Sequence, residues 1–150
     1  WEAMPAYPSS LADRIRAAQN RSTPPEVLAH LAADRDRAVR AVVAGNLHTT
    51  ASVLAQLAHD DYFYVWEMVA GNPATPVETL IELASSQNWG VRVGVAGNPS
   101  TPPDVLARLG DDEEAWVRYY VNLNPNTPPE VHRRLASEPL PQEYQDFLED

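Results

Sequence analysis

Leucine and valine recur along this chain on a fixed beat. Leu31, Leu57, Leu83, Leu109 and Leu135 stand 26 residues apart. An apolar pair precedes several of them in helical phase, as Val27 and Leu28, Val53 and Leu54, and Val105 and Leu106. That spacing puts the side chains on one stripe of a helix. A second apolar cluster follows at Val39, Val42 and Val43, echoed by Val65, Met68 and Val69 and by Val117, Tyr120 and Val121. Its i, i+3, i+4 spacing predicts a second short helix. The many β-branched residues leave a strand as the alternative.

Polar positions keep the same beat. Asn20, Asn46, Asn72, Asn98 and Asn124 are each followed three residues later by Thr23, Thr49, Thr75, Thr101 and Thr127. In four copies a proline and then an acid come after the threonine, as in Thr101-Pro102-Pro103-Asp104. This order predicts a helix start, with the threonine hydroxyl as cap, proline in the first turn and the acid at the positive end of the helix dipole. The second copy reads Thr49-Thr50-Ala51-Ser52, so a weaker cap is expected there. Gly45-Asn46, Gly71-Asn72 and Gly97-Asn98 predict the closing turn of the second helix in a left-handed conformation, and the following Pro73, Pro99 and Pro125 forbid its continuation. Most of the fourteen prolines fall at fixed phases of the repeat, so they punctuate structure and do not signal disorder.

Each copy is therefore helix, short turn, short helix, tight turn. Such a unit cannot bury its apolar face alone, and stacking on its neighbours supplies the core. The expected fold is all-α, a solenoid of about five two-helix copies in one domain over residues 1–150. The copies span 20–45, 46–71, 72–97, 98–123 and 124–138; residues 1–19 form a partial copy or cap, and 139–150 a capping helix or frayed tail.

Composition narrows the function classes. A hydrophobic fraction of 44% suits a folded protein, yet no apolar run approaches the ~18 residues of a membrane span, and nothing resembles the apolar core of a signal peptide. Cysteine is absent, which removes disulfides, thiolate metal sites and a cysteine nucleophile, and fits a cytoplasmic protein. The chain opens on Trp1, not Met, which leaves room for a leader, a tag or a neighbouring domain ahead of it.

The columns written "VRxxVAGNPxTPPEVLxxLA" resemble the leucine-rich repeat variant family, the bacterial repeats of that name, over about residues 9–138. The resemblance implies a right-handed superhelix of alternating α- and 3₁₀-helices, without the strands of ordinary leucine-rich repeats. It implies a scaffold, since no shared catalytic activity attaches to the repeat. One member of the family carries an iron–sulfur cluster on a cysteine-rich segment, a feature that cannot carry over to this chain. The second copy departs most from the pattern, losing its proline and replacing the arginine with Trp66, which marks it as the specialised region.

Catalytic patterns are missing. His30, His48, His59 and His132 sit at four different phases with no metal-ligand spacing, and the recurring glycine is read as a helix stop, not a phosphate loop. Asp111, Asp112, Glu113 and Glu114 read as a solvated turn. No enzyme activity, metal or cofactor is expected.

What remains is the surface. Residues at one phase line up along a solenoid, and twenty residues after each repeat asparagine the series is Arg40, Trp66, Arg92 and Arg118, with Arg14 ahead of it. Neighbouring phases add Tyr62, Phe63, Tyr64, Trp89, Trp116 and Tyr119. Two readings compete. The arginines belong to the repeat and pair with turn acids such as Asp34, Asp60 and Asp112, with aromatics filling gaps between copies. Alternatively, Arg40, Tyr62, Tyr64, Trp66, Trp89, Arg92, Trp116, Arg118 and Tyr119 form one binding ridge, because Trp, Tyr and Arg anchor protein interfaces.

On the second reading the chain is an interaction module for a protein or peptide, with Arg beside aromatics suiting an acidic or phosphorylated segment. A nucleic-acid module is the other class. The net charge of −10 and a basic complement made entirely of arginine, eleven in all, argue against phosphate neutralisation as the main source of affinity. A structural spacer or accessory domain of a larger protein is the third. Oligomeric state stays open.

Overall fold

The computed structural model describes residues 7–149. The first six residues of the expected N-terminal partial copy and Asp150 lie outside the described residues. Helices run as α1 (Leu11–Gln19), α2 (Pro25–Leu31), α3 (Arg37–Gly45), α4 (Ala51–Leu57), α5 (Phe63–Gly71), α6 (Val77–Leu83), α7 (Trp89–Gly97), α8 (Pro103–Leu109), α9 (Ala115–Leu123), α10 (Pro129–Ala136) and α11 (Gln142–Leu148). Among the described residues all of them are α-helical and no strand occurs, so the valine clusters resolve as helices.

Two layers result. The odd helices α1, α3, α5, α7 and α9 stack directly on one another, and each even helix from α2 to α8 packs on the odd helices before and after it. The layers meet on repeated rungs of Val39, Val65, Val91 and Val117, of Val43, Val69, Val95 and Val121, and of Leu28, Leu54, Leu80 and Leu106, all fully buried. Each buried branched side chain contributes roughly 1.5–3 kcal/mol through removal from water. None of the helices exceeds nine residues, too short to be stable in isolation, so packing between copies is what holds them.

The stripe on the odd helices differs from the one expected. Val42, Met68 and Tyr120 are half-buried on the outer side, while Ala44, Ala70 and Ala96 are buried. The odd helices touch each other as well as the even layer, and the alanine lets them approach closely. A Cβ built on Gly94 would stand 2.7 Å from the Ala70 Cβ and 3.2 Å from the Gly71 nitrogen. Of the closing glycines, Gly45 makes space for a neighbour, whereas a Cβ on Gly71 would meet nothing within 4 Å. Gly45 receives the Met68 side chain, and a Cβ built on Gly97 would stand 3.4 Å from the Tyr120 ring. No described residue has a positive φ, and Asn46, Asn72, Asn98 and Asn124 are extended, so the expected left-handed turn is not used.

These asparagines do something else. Nδ2 of Asn72 donates to the carbonyls of Ala44 at 2.8 Å and Asn46 at 2.9 Å, at the end of the α3 helix and the turn after it, and its Oδ1 accepts from the Ala74 N–H. Asn46, Asn98 and Asn124 repeat the same pattern, each reaching the previous asparagine's carbonyl. All four are buried, which makes an unbroken amide relay along the stack.

The threonines also take a different role. Thr49, Thr75, Thr101 and Thr127 each donate Oγ1–H back to the carbonyl six residues earlier, at the end of the preceding odd helix. They lie one residue outside the cap position, which Pro24, Pro76, Pro102 and Pro128 occupy with no side-chain cap. The expectation for the second copy is reversed. Thr50 stands where the others have proline, and its hydroxyl does accept from the Val53 N–H.

No helix among the described residues is long and apolar enough to cross a membrane.

Candidate functional site

The structure divides the nine ridge residues into two groups. The first runs along the junctions between copies. Arg40 Nε donates to Asp60 Oδ2 at 2.7 Å and its Nη2 to Asp60 Oδ1 at 3.2 Å, while Nη1 reaches the Asp34 carbonyl at 2.8 Å. Arg92 repeats this fork on Asp112 and the Ser86 carbonyl. Arg14 pairs with Asp34 at 2.8 Å, and Arg118 pairs with Glu138 at 3.2 Å in a more open setting. The guanidinium side chains of Arg40 and Arg92 are only 15% and 12% exposed, and their aspartates 9% each. Pairing with the turn acids is thus the geometry these arginines adopt. The hydrogen bond to Asp60 raises the Arg40 guanidinium above its ordinary value, against the pull of burial. At Asp60 burial works against ionisation. Hydrogen bonds from Arg40 and the Tyr62 N–H, with the Arg40 charge, outweigh it and hold the carboxyl below the usual carboxylate range.

Trp66 belongs to this ladder and not to an outer ridge. Its indole Nε1–H donates to the Asp60 carbonyl, six residues back, as Arg40 and Arg92 do to theirs. The position that would hold its acid is Ser86, whose hydroxyl still accepts from the Asn88 N–H as Asp60 accepts from Tyr62.

The second group is aromatic and faces outward. Phe63 and Trp89 are each 50% exposed, and Tyr64 is also exposed. Tyr62 lies half-buried under Arg37, whose guanidinium carbon sits 4.4 Å from the ring centroid. Trp116 meets Tyr119 edge-on at 5.8 Å and is stacked by Tyr144 of α11 at 5.2 Å. Tyr119 turns toward Pro139 and Leu140, beside Arg118. Tyr144 donates its hydroxyl to Glu114 at 3.1 Å, a bond that raises the phenol above its ordinary range. Between α7 and α9 a groove of about 230 Å³ opens, lined by Trp89, Val93, Trp116 and Tyr120. Among the described residues no cluster of His, Asp or Glu is placed to hold a metal ion.

Sequence reasoning passed over Tyr120 and Val93. Tyr120 was expected in the core, yet its column runs Arg16, Val42, Met68, Gly94, Tyr120. A column that ranges from charged to glycine is not a core column, and that variation is the signal.

A family model for the leucine-rich repeat variant matches residues 89–114. A solved structure described as a leucine-rich repeat variant with a novel repetitive protein structural motif superposes with a TM-score of 0.63 at 26% identity, over 87% of this chain. The chain is thus similar to the leucine-rich repeat variant family, in sequence over one copy and in fold over most of its length. It spans 57% of that solved chain's length. A comparison with curated proteins finds no match. The matched window has the length of one copy, from Trp89 on the groove through α8 to the turn that holds Asp112, the partner of Arg92. The Asn, Thr and Arg columns of this repeat are thus scaffold, and the scaffold presents the aromatic columns.

Proposed function

We propose that this chain is a non-enzymatic interaction scaffold that holds a peptide or protein segment on the outer face of its odd helices, centred on the groove between α7 and α9. The observation that carries this reading is Trp89, half exposed across from Trp116 and Tyr120 with no protein side chain filling the space between. A large aromatic left in water costs free energy that a partner can recover, and such residues anchor interfaces. Tyr62, Tyr64 and Phe63 extend the face by one copy, and Tyr119 supports Trp116. In this reading Arg40, Arg92, Arg118 and Trp66 hold the copies in register. Their pairing also weighs against an acidic, phosphorylated or nucleic-acid partner, because the guanidiniums already have carboxylates.

The test is capture from nuclease-treated native lysate with the wild-type chain and with a Phe63→Ala/Trp89→Ala variant of unchanged helicity. Proteins retained by the first and lost by the second are expected. Identical capture by both would overturn the reading.

A further inference from the structure

We propose that the groove between Trp89 and Trp116 receives an arginine side chain from a basic segment of the partner. The inference rests on the interaction reading above and adds the chemistry of the occupant. A planar guanidinium suits a space bounded by aromatic rings, since it stacks on their faces and is held there by the ring quadrupole. The groove's size, about 230 Å³, fits one side chain and not a folded element.

Charge points the same way. Glu67 of α5 extends over Gly90, the neighbour of Trp89, and its Oε1 lies 2.5 Å from where a Cβ on Gly90 would stand. Glycine at that position is what lets the carboxylate lie there. Among the described residues Glu67 has no ion-pair partner, and it adds negative charge next to Trp89 without itself lining the groove. On the other side Glu114 borders Trp116 through the Trp116 N–H and the Tyr144 hydroxyl. The nearest arginines, Arg92 and Arg118, are tied to Asp112 and Glu138 and leave little free positive charge at the groove. A chain of net charge −10 adds a long-range pull on basic segments.

The molecule already uses this interaction elsewhere. Arg37 opens α3 and covers Tyr62 of the next copy. Two copies on, the position equivalent to Arg37 is Trp89, which opens α7. There the repeat supplies aromatic rings on both sides and no cation of its own.

Selection of short random peptides displayed on phage, against the wild-type chain and against Trp89→Ala, tests this. Peptides retained by the wild type and lost by Trp89→Ala are expected to be enriched in arginine. Replacing the enriched arginine with citrulline, which keeps the shape and removes the charge, should weaken binding about fivefold or more. Glu67→Gln, with helicity unchanged, should weaken the arginine peptide and leave the citrulline peptide unaffected. Amide and indole NMR shifts should move at Trp89 and Trp116 and stay fixed at Trp66. Trp89-dependent peptides that are neutral or acidic, or that bind equally as citrulline, would overturn the arginine assignment and leave the interaction face standing. If no selected peptide depends on Trp89, both fall.

Discussion

Trp66 and Ser86 stand at the same twenty-residue offset as Arg40 and Asp60, and the pair has changed at both ends. Where the arginine becomes tryptophan, the acid on the next copy becomes serine. The backbone bonds on each side survive, through the indole N–H and the serine hydroxyl. Only the charge pair is gone. A lone aspartate at 86 would be a carboxylate without its guanidinium, which is costly when half-buried.

Moving this neutral rung one junction back is therefore informative. Arg40→Trp alone should destabilise the chain by about 2–3 kcal/mol, because it leaves the Asp60 carboxylate unpaired. Adding Asp60→Ser should recover most of that loss. Urea unfolding of the two single variants and the double variant measures the coupling, expected at 1 kcal/mol or more.

Asp60 also sets an acid response. Its carboxyl is held below the usual range in the folded chain, so the folded state binds its proton more weakly than the unfolded state does. The stabilisation is present above the ordinary aspartate value near ~4 and disappears as pH falls through the lower folded value. Asp60→Asn should therefore cost stability at neutral pH, with the gap to wild type closing as pH falls below the ordinary aspartate value. Melting temperatures across that range check it, and a constant gap would contradict the assignment.

Two helical glycines should respond to alanine with opposite signs. At Gly94 the new methyl meets Ala70 and the backbone at Gly71, so α5 and α7 must separate, and a loss of about 1–2 kcal/mol is expected. At Gly71 a Cβ meets nothing within 4 Å, and the better helix former should be neutral or add up to about 0.5 kcal/mol. Thermal unfolding of the two variants separates close approach from helix propensity.

Much of this architecture is legible in the chain, and for a physical reason. Repetition turns weak local preferences into columns, so five copies of Asn, Thr and Leu fix the period, the number of helices and the core leucines. Side-chain reach is not local, and there the reading fails. A threonine before proline looks like a cap, yet the proline takes the cap position and the hydroxyl turns back to Val95 or Val121. An asparagine after glycine looks like a turn residue, whereas its Nδ2 donates to carbonyls 26 and 28 residues back. The candidate face is half-readable for the same reason. Trp89 and Trp116 are visible as aromatics off the core stripe, but assigning Trp66 to the ladder requires knowing that its indole bonds six residues back.

The asparagine relay carries a consequence for how such a chain can change. Each amide addresses only carbonyls 26 and 28 residues behind it, so no residue in the relay depends on how many copies follow. A duplication of 26 residues in register creates one more donor and one more acceptor set together, and every existing bond keeps its partner. A duplication off by even one residue buries an amide with nothing to bond. Copy number is thus free to drift in whole units, while the period is fixed, and the outward columns can diversify from one unit to the next without disturbing either.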